Sequence, residues 1–341
     1  MVQIWREGRK INVVPFRPTS LDEVAAWANR LASSHAGARP GAASPAFYSA
    51  RDGFSVRHFA GTLDHHDRLG HIRVVHLTDL HVGRVTPWRV QQKAVELTNA
   101  QAPDLVVVTG DFVCHSQLYL DQLRALIAAI AAPVLCVLGN HDYWSGALEV
   151  TRALERGGAA VLHNAHTVLT LGHERLQVVG LDDAYTGHAD RARAVRGLRR
   201  DLPTLGLSHI AEEADGLWAA GVPLVLSGHT HAGQITLARL HELAVGHIAG
   251  HRYVHGLYGC RRGEVTEGAV YVGAGVGAAV MPLRLGERAR REVAVFELGH
   301  APGSLHEHHS EQIPLNGRKP SRQTTQRRKQ AVHKKSKKRT R

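Results

Sequence analysis

The sequence predicts an α/β sandwich with buried strands. Three observations point to it. Short, continuous apolar runs recur between residues 71 and 300. Amphipathic stretches sit between several of them, and strand–helix alternation of this kind builds sheets buried on both faces. Glycine is plentiful, at 34 residues, as tight strand-to-loop turns require.

The strand-like runs fall at 71–78, 104–109, 133–138, 177–181, 204–208 and 223–227, with 269–272 and 292–298 closing the sheets. Helical periodicity marks 88–101, where Val90, Ala94, Val95 and Leu97 share a face, and then 117–131 and 146–156. Upstream, residues 1–70 read as an irregular N-terminal extension or lid. Thr19 and Ser20 are cap signals for a helix at 20–33, and a Gly/Ala/Ser/Pro stretch at 35–45 follows it. Downstream, residues 301–341 are His-rich and then Lys/Arg-rich, the composition of a disordered tail. The chain thus divides into 1–70, a body at 71–300, and the tail 301–341.

The net charge of +12 belongs to that tail. Residues 312–341 hold 12 Lys and Arg and no acidic side chain, which leaves 30 basic against 30 acidic groups elsewhere. The high basicity therefore says nothing about the body. The basic run at 318–341 suits an anionic membrane surface or a nucleic acid. It has no aromatic residues for stacking on bases. Three cysteines without close pairing argue against a disulfide framework and for a reducing compartment. The start of the chain is a poor signal peptide. The longest apolar run, 126–139, is broken by Pro133 and falls short of the roughly 20 residues of a membrane span. These features read as a cytoplasmic protein without a transmembrane segment, peripheral at the membrane if the tail binds it.

Five of the strand-like runs end in polar clusters: Asp79-Leu80-His81, Gly110-Asp111, Gly139-Asn140-His141-Asp142, His209, and Gly228-His229-Thr230-His231. Sites in open α/β sheets form beyond the carboxyl ends of strands, so five such ends can meet in one crevice. In an extended segment residues i and i+2 project to one side. Asp79 and His81 can then face one ion, as can His229 and His231. Mixed imidazole and carboxylate ligands suit Mn²⁺ first, then Fe or Zn²⁺. No cysteine lies in these motifs, which excludes a Cys-based structural zinc site. Singly, each has a plain alternative as turn, cap or core residue. Most of the 25 histidines, including His65, His66, His76, His163, His166 and His188, read as surface or packing residues. Asp182-Asp183 reads as turn or cap chemistry, Arg284 as a substrate-phosphate contact or a surface residue, and 306–309 as linker.

In this order the motifs resemble those of the calcineurin-like metallophosphoesterases, over roughly residues 71–300. Residues 227–235, Gly256-Leu257-Tyr258 and Pro282-Leu283-Arg284-Leu285-Gly286 resemble a subgroup of it. That subgroup includes bacterial cell-wall-associated phosphodiesterases and UDP-2,3-diacylglucosamine pyrophosphatases. The chain departs from it at Ala232, where the subgroup often has Gly, and at Ile210-Ala211, where Asn-Pro often follows the histidine. The resemblance implies a four-layer α/β/β/α fold and two divalent ions. One ion would take Asp79, His81, Asp111 and His231. The other would take Asp111, Asn140, His209 and His229, with Asp111 bridging. It further implies in-line attack of a metal-bridged hydroxide on a phosphodiester, phosphomonoester or pyrophosphate of a small phosphorylated substrate. His141 would act at the leaving oxygen, with Asp142 orienting it. Competing readings are a UDP-2,3-diacylglucosamine pyrophosphatase-like enzyme acting on a lipid-linked substrate, a nuclease or cyclic-nucleotide phosphodiesterase, and a non-catalytic membrane or nucleic-acid binding protein with a vestigial metal site.

Overall fold

The computed structural model describes residues 2–6, 9–13, 53–233, 250–263, 268–278, 284, 289–307, 310–315 and 326. Strands β1 (Val2–Arg6) and β2 (Arg9–Val13) pair as an antiparallel hairpin, where an irregular segment was expected. The expected helix at 20–33 and the basic run at 318–341 fall outside the described residues, apart from residue 326.

Two mixed six-stranded sheets form the body. The first runs β3 (Phe54–Ala60), β14 (Arg291–Glu297), β4 (Arg73–Leu77), β5 (Leu105–Thr109), β6 (Val134–Val137), β7 (Ala159–Val161). The second runs β12 (Gly256–Gly259), β13 (Ala269–Val272), β11 (Leu224–Ser227), β10 (Thr204–Leu207), β9 (Glu174–Gly180), β8 (Ala165–Leu171). Strands β4 to β7 are mutually parallel, as are β9, β10, β11 and β13.

The four layers follow from the period-2 geometry of the strands. In β5, Leu105 and Val107 enter the core between the sheets, against Val178, Leu205, Leu207 and Leu226. Val106 and Val108 turn to the opposite face, where the helices Trp88–Ala100, Leu120–Ala128 and Ala147–Arg156 supply Val95, Leu97, Leu126 and Leu154. The outer face of the second sheet buries Val179, Val225 and Val270 against Ala214, Leu217 and Tyr253. Strands covered on both faces must be apolar throughout, which is why they read as continuous runs. Each fully buried Val or Leu contributes about 1.5–3 kcal/mol.

The body extends beyond the 71–300 expected. Strand β3 pairs along its length with β14. At the other end, residues 301–315 are not a free tail. The nearly buried Arg261 guanidinium donates to both Glu307 carboxylate oxygens at 2.6 Å and to Glu311 at 2.8 Å. Gln312 N–H donates to Leu257 O at 2.8 Å, and Leu315 N–H to Arg252 O at 2.9 Å. A polar, His-rich composition concealed these contacts because their partners lie some 50 residues upstream.

Two histidines expected at the surface or in packing are fully buried and neutral. His65 Nδ1 lies 2.8 Å from the Thr62 hydroxyl and its Nε2 lies 3.1 Å from Thr204 O, so one nitrogen accepts and the other donates. His76 Nε2 lies 2.8 Å from Thr109 Oγ1. Burial lowers both to a pKa of about 4. The unfolded chain therefore binds more protons than the fold between pH 4 and 6.5. Stability is fully present above pH 6.5 and drains away as pH falls to 4, by roughly 1.4 kcal/mol per unit per histidine. In denaturant titrations across this window, His76→Gln is expected to show a shallower pH dependence than wild type. Equal slopes would mean that His76 does not carry this linkage.

Candidate metal centre

The loops after β4 and β5 are laced together by their backbones. Asp79 N–H donates to Gly110 O at 3.1 Å, His81 N–H to Asp111 O at 2.9 Å, and Val82 N–H to Phe112 O at 2.7 Å. The side chains do not face one point because the chain is extended. Asp79, His81, Asp111, His229 and His231 all adopt left-handed backbone, with φ of 52°, 43°, 54°, 76° and 51°. The i, i+2 reasoning from strand geometry is thereby corrected: same-side projection comes from turns. For an L-residue this conformation costs about 1–2 kcal/mol each, and strain so concentrated marks a functional site. Ala232, the departure from glycine, is also left-handed, at φ 51°. Gly228 is required by space, since a Cβ there would stand 1.9 Å from Thr78 Oγ1 and 2.5 Å from Asp79 Oδ2.

All seven expected ligands converge. Asp79, His81 and His231 bring their ligand atoms within 4.8 Å of one another, and so do Asp111, His209 and His229. His231 Nε2 lies 3.3 Å from Asp79 Oδ1 and 3.0 Å from His81 Nε2. His209 Nε2 lies 3.2 Å from both Asn140 Oδ1 and His229 Nδ1. Asp111 Oδ2 stands between the groups, 3.7 Å from His81 Nε2 and 3.5 Å from His209 Nε2.

The electrostatics favour cations. Burial holds His81 and His231 down at about 3, and His229 well below its usual range, so these rings are neutral and can give a lone pair to a cation. Burial disfavours charge on His209 too, but the adjacent Asp111 carboxylate outweighs it and lifts His209 to about 10. Asp111 is correspondingly held well below the carboxylate range despite its burial, chiefly by His209 and His141. Asp79 Oδ1 is buried without a hydrogen-bond partner. An orphaned carboxylate oxygen beside facing neutral imidazoles is a donor set that fits divalent metal ions.

His141 sits at the rim. Its N–H donates to Asp111 Oδ1 at 2.9 Å, and its Nε2 lies 3.9 Å from Asp111 Oδ2. Asp142 does not orient it. That carboxylate accepts from the N–H groups of Gly139, at 2.9 Å, Phe112, at 2.8 Å, and Val113, at 3.3 Å. The expectation of a carboxylate–imidazole pair is corrected: Asp142 ties the third-motif turn to the loop after β5. Burial, and then the nearby Asp111, push it up to about 8.

Asp183 serves as turn chemistry, accepting from the Thr186 N–H and hydroxyl, each at 2.6 Å. Arg284 is half-buried beside His231, with most of its donors taken by backbone carbonyls. It donates to Ala274 O at 2.7 Å and Ala289 O at 3.1 Å, with Nη2 3.4 Å from His231 Nδ1. Residue-by-residue reading missed the rings around the rim. Trp144 lies 5.0 Å from His141, Tyr185 5.1 Å from His229, and His251 5.2 Å from His229. No motif announces them.

Residues 72–233, which hold all seven converging side chains, match the family model for calcineurin-like phosphoesterases. YkuE, a metallophosphoesterase of Bacillus subtilis, is 30% identical over 234 residues, covering 66% of this chain and 78% of YkuE. The chain belongs to the calcineurin-like phosphoesterase family. The phosphodiesterase YaeI of Escherichia coli is 29% identical over 238 residues, 68% of this chain and 84% of YaeI. The UDP-2,3-diacylglucosamine pyrophosphatase LpxG of Chlamydia trachomatis is 26% identical over 214 residues, 49% of this chain and 65% of LpxG. This calcineurin-like phosphoesterase is thus a metal-dependent hydrolase acting on phosphate esters, and its family works with divalent metal ions. Among its described residues no helix is long and apolar enough to cross a membrane.

Proposed function

We propose that the enzyme hydrolyses phosphodiester or pyrophosphate bonds with two divalent cations. Asp79, His81 and His231 hold one, and Asn140, His209 and His229 the other. Asp111 is shared. The observation that carries this reading is the place of Asp111 Oδ2, between the two ligand groups and within 3.7 Å of an imidazole from each. Bound cations supply a lowered pKa for water and a clamp on the attacking and leaving oxygens.

The chain's own groups do the rest. The buried imidazoles of His81 and His231 stay unprotonated and keep their lone pairs for ligation. The Asp142 carboxylate, accepting from the Gly139 N–H, fixes the helix start that carries Asn140 and His141. His141, at the open rim, is placed to hold the phosphoryl oxygen or pass a proton to the leaving group. YaeI is named a phosphodiesterase and LpxG a pyrophosphatase, and both names favour a substrate with a second group beyond the phosphate. Mn²⁺ is the first choice of ion for this mixed oxygen and imidazole set.

The test is hydrolysis of bis(p-nitrophenyl) phosphate against p-nitrophenyl phosphate, with Mn²⁺ and after chelation. We expect Mn²⁺-dependent cleavage that favours the diester. Absence of metal-dependent cleavage of either compound would contradict the reading.

A further inference from the structure

One thiol beside the centre, that of Cys114, is not used by the reading above. Cys114, His81 and His141 bring a sulfur and two ring nitrogens within 4.8 Å of one another. The backbone builds this contact. Val113 bridges Val82, and Cys114 N–H donates to Val82 O at 3.4 Å, so the thiol is held next to the turn that carries His81. A second observation also points to a ligand. His81 Nδ1 and His141 Nδ1 are both buried with no hydrogen-bond partner. His81 is fully buried and His141 is 9% exposed, so neither nitrogen is compensated by bulk water. Cys114 is only half-buried, which leaves the cluster a route to solvent.

We infer that Cys114, His141 and His81 form an alternative site for a thiophilic divalent cation such as Zn²⁺ or Cd²⁺, which shares His81 with the first ion's ligand group, and that filling it stops hydrolysis. One sulfur with two imidazoles is a borderline-soft donor set. It differs in kind from the mixed oxygen and imidazole centre next door and discriminates against Mn²⁺. Binding exchanges the thiol proton for the cation: the S–H bond breaks, an S–metal bond forms, and the proton leaves to solvent without redox change, while the neutral His81 imidazole gives up the first ion for the new one. Inhibition follows because His141 is then a ligand and no longer available to the phosphoryl group. That consequence rests on the function proposed above, whereas the site itself does not.

The experiment uses the full chain loaded with Mn²⁺ and titrated with Cd²⁺. The ultraviolet thiolate-to-cadmium charge-transfer band and diester hydrolysis are followed together. Wild type and Cys260→Ser are expected to develop the band as hydrolysis falls. Cys114→Ser is expected to keep its activity in Mn²⁺, show no such band, and need about tenfold more Cd²⁺ or above for half-inhibition. A band of equal strength in Cys114→Ser, or inhibition at the same Cd²⁺ concentration, overturns the inference. So does a Cys114-dependent band with no loss of hydrolysis. Wild-type protein that shows the band but hydrolyses nothing in Mn²⁺ contradicts the proposed function and leaves the cation site standing.

Discussion

Asp111→Asn is expected to lower diester turnover at least ~10³-fold and to reduce the bound metal from two ions to one or none. Its Oδ2 stands between both ligand groups, so on the proposed reading its loss is felt by both ions. Asparagine keeps the volume and an oxygen for the His141 N–H, which now goes to Asp111 Oδ1 at 2.9 Å. The fold is therefore retained and the effect is confined to charge. In the ion-free chain His209 also loses the carboxylate that raises its pKa and returns to the neutral form that burial favours. Elemental analysis and single-turnover kinetics check this directly. Two retained ions with turnover within tenfold of wild type would show that Asp111 is not shared.

His141→Ala is expected to cost about 10²–10⁴-fold in turnover while both ions stay bound. Its Nε2 lies 3.9 Å from Asp111 Oδ2, further than the 3.5 Å and 3.7 Å of His209 and His81. The ring packs at the rim against Trp144 and His115 and meets the centre edge-on at His81, 4.8 Å away. A group so placed acts on the substrate, and its removal leaves the cage of oxygens and imidazoles intact. A variant with fewer ions than wild type would make His141 a ligand instead.

How much of this was legible in the sequence depends on whether the signal was local. The buried strands were, because a strand covered on both faces must be apolar throughout, as Leu105–Thr109 is. Strand β3 was not. Its sequence Phe-Ser-Val-Arg-His-Phe-Ala interrupts the apolar run with Arg57, whose charge is matched by Glu292 at 3.2 Å from β14, far along the chain. The seven converging residues were legible because each closes an apolar run. The conformation that brings them together was not, since left-handed Asp and His residues leave no compositional trace. Asp142 and Arg284 failed for a shared reason. Their partners are backbone groups, and backbone groups look alike in any sequence.

The most direct test of the central claim is anomalous scattering from crystals grown with Mn²⁺. Two peaks about 3.5–4 Å apart are expected, with the Asp111 carboxylate touching both. A single peak, or ions seated away from Asp111, would contradict the two-cation centre.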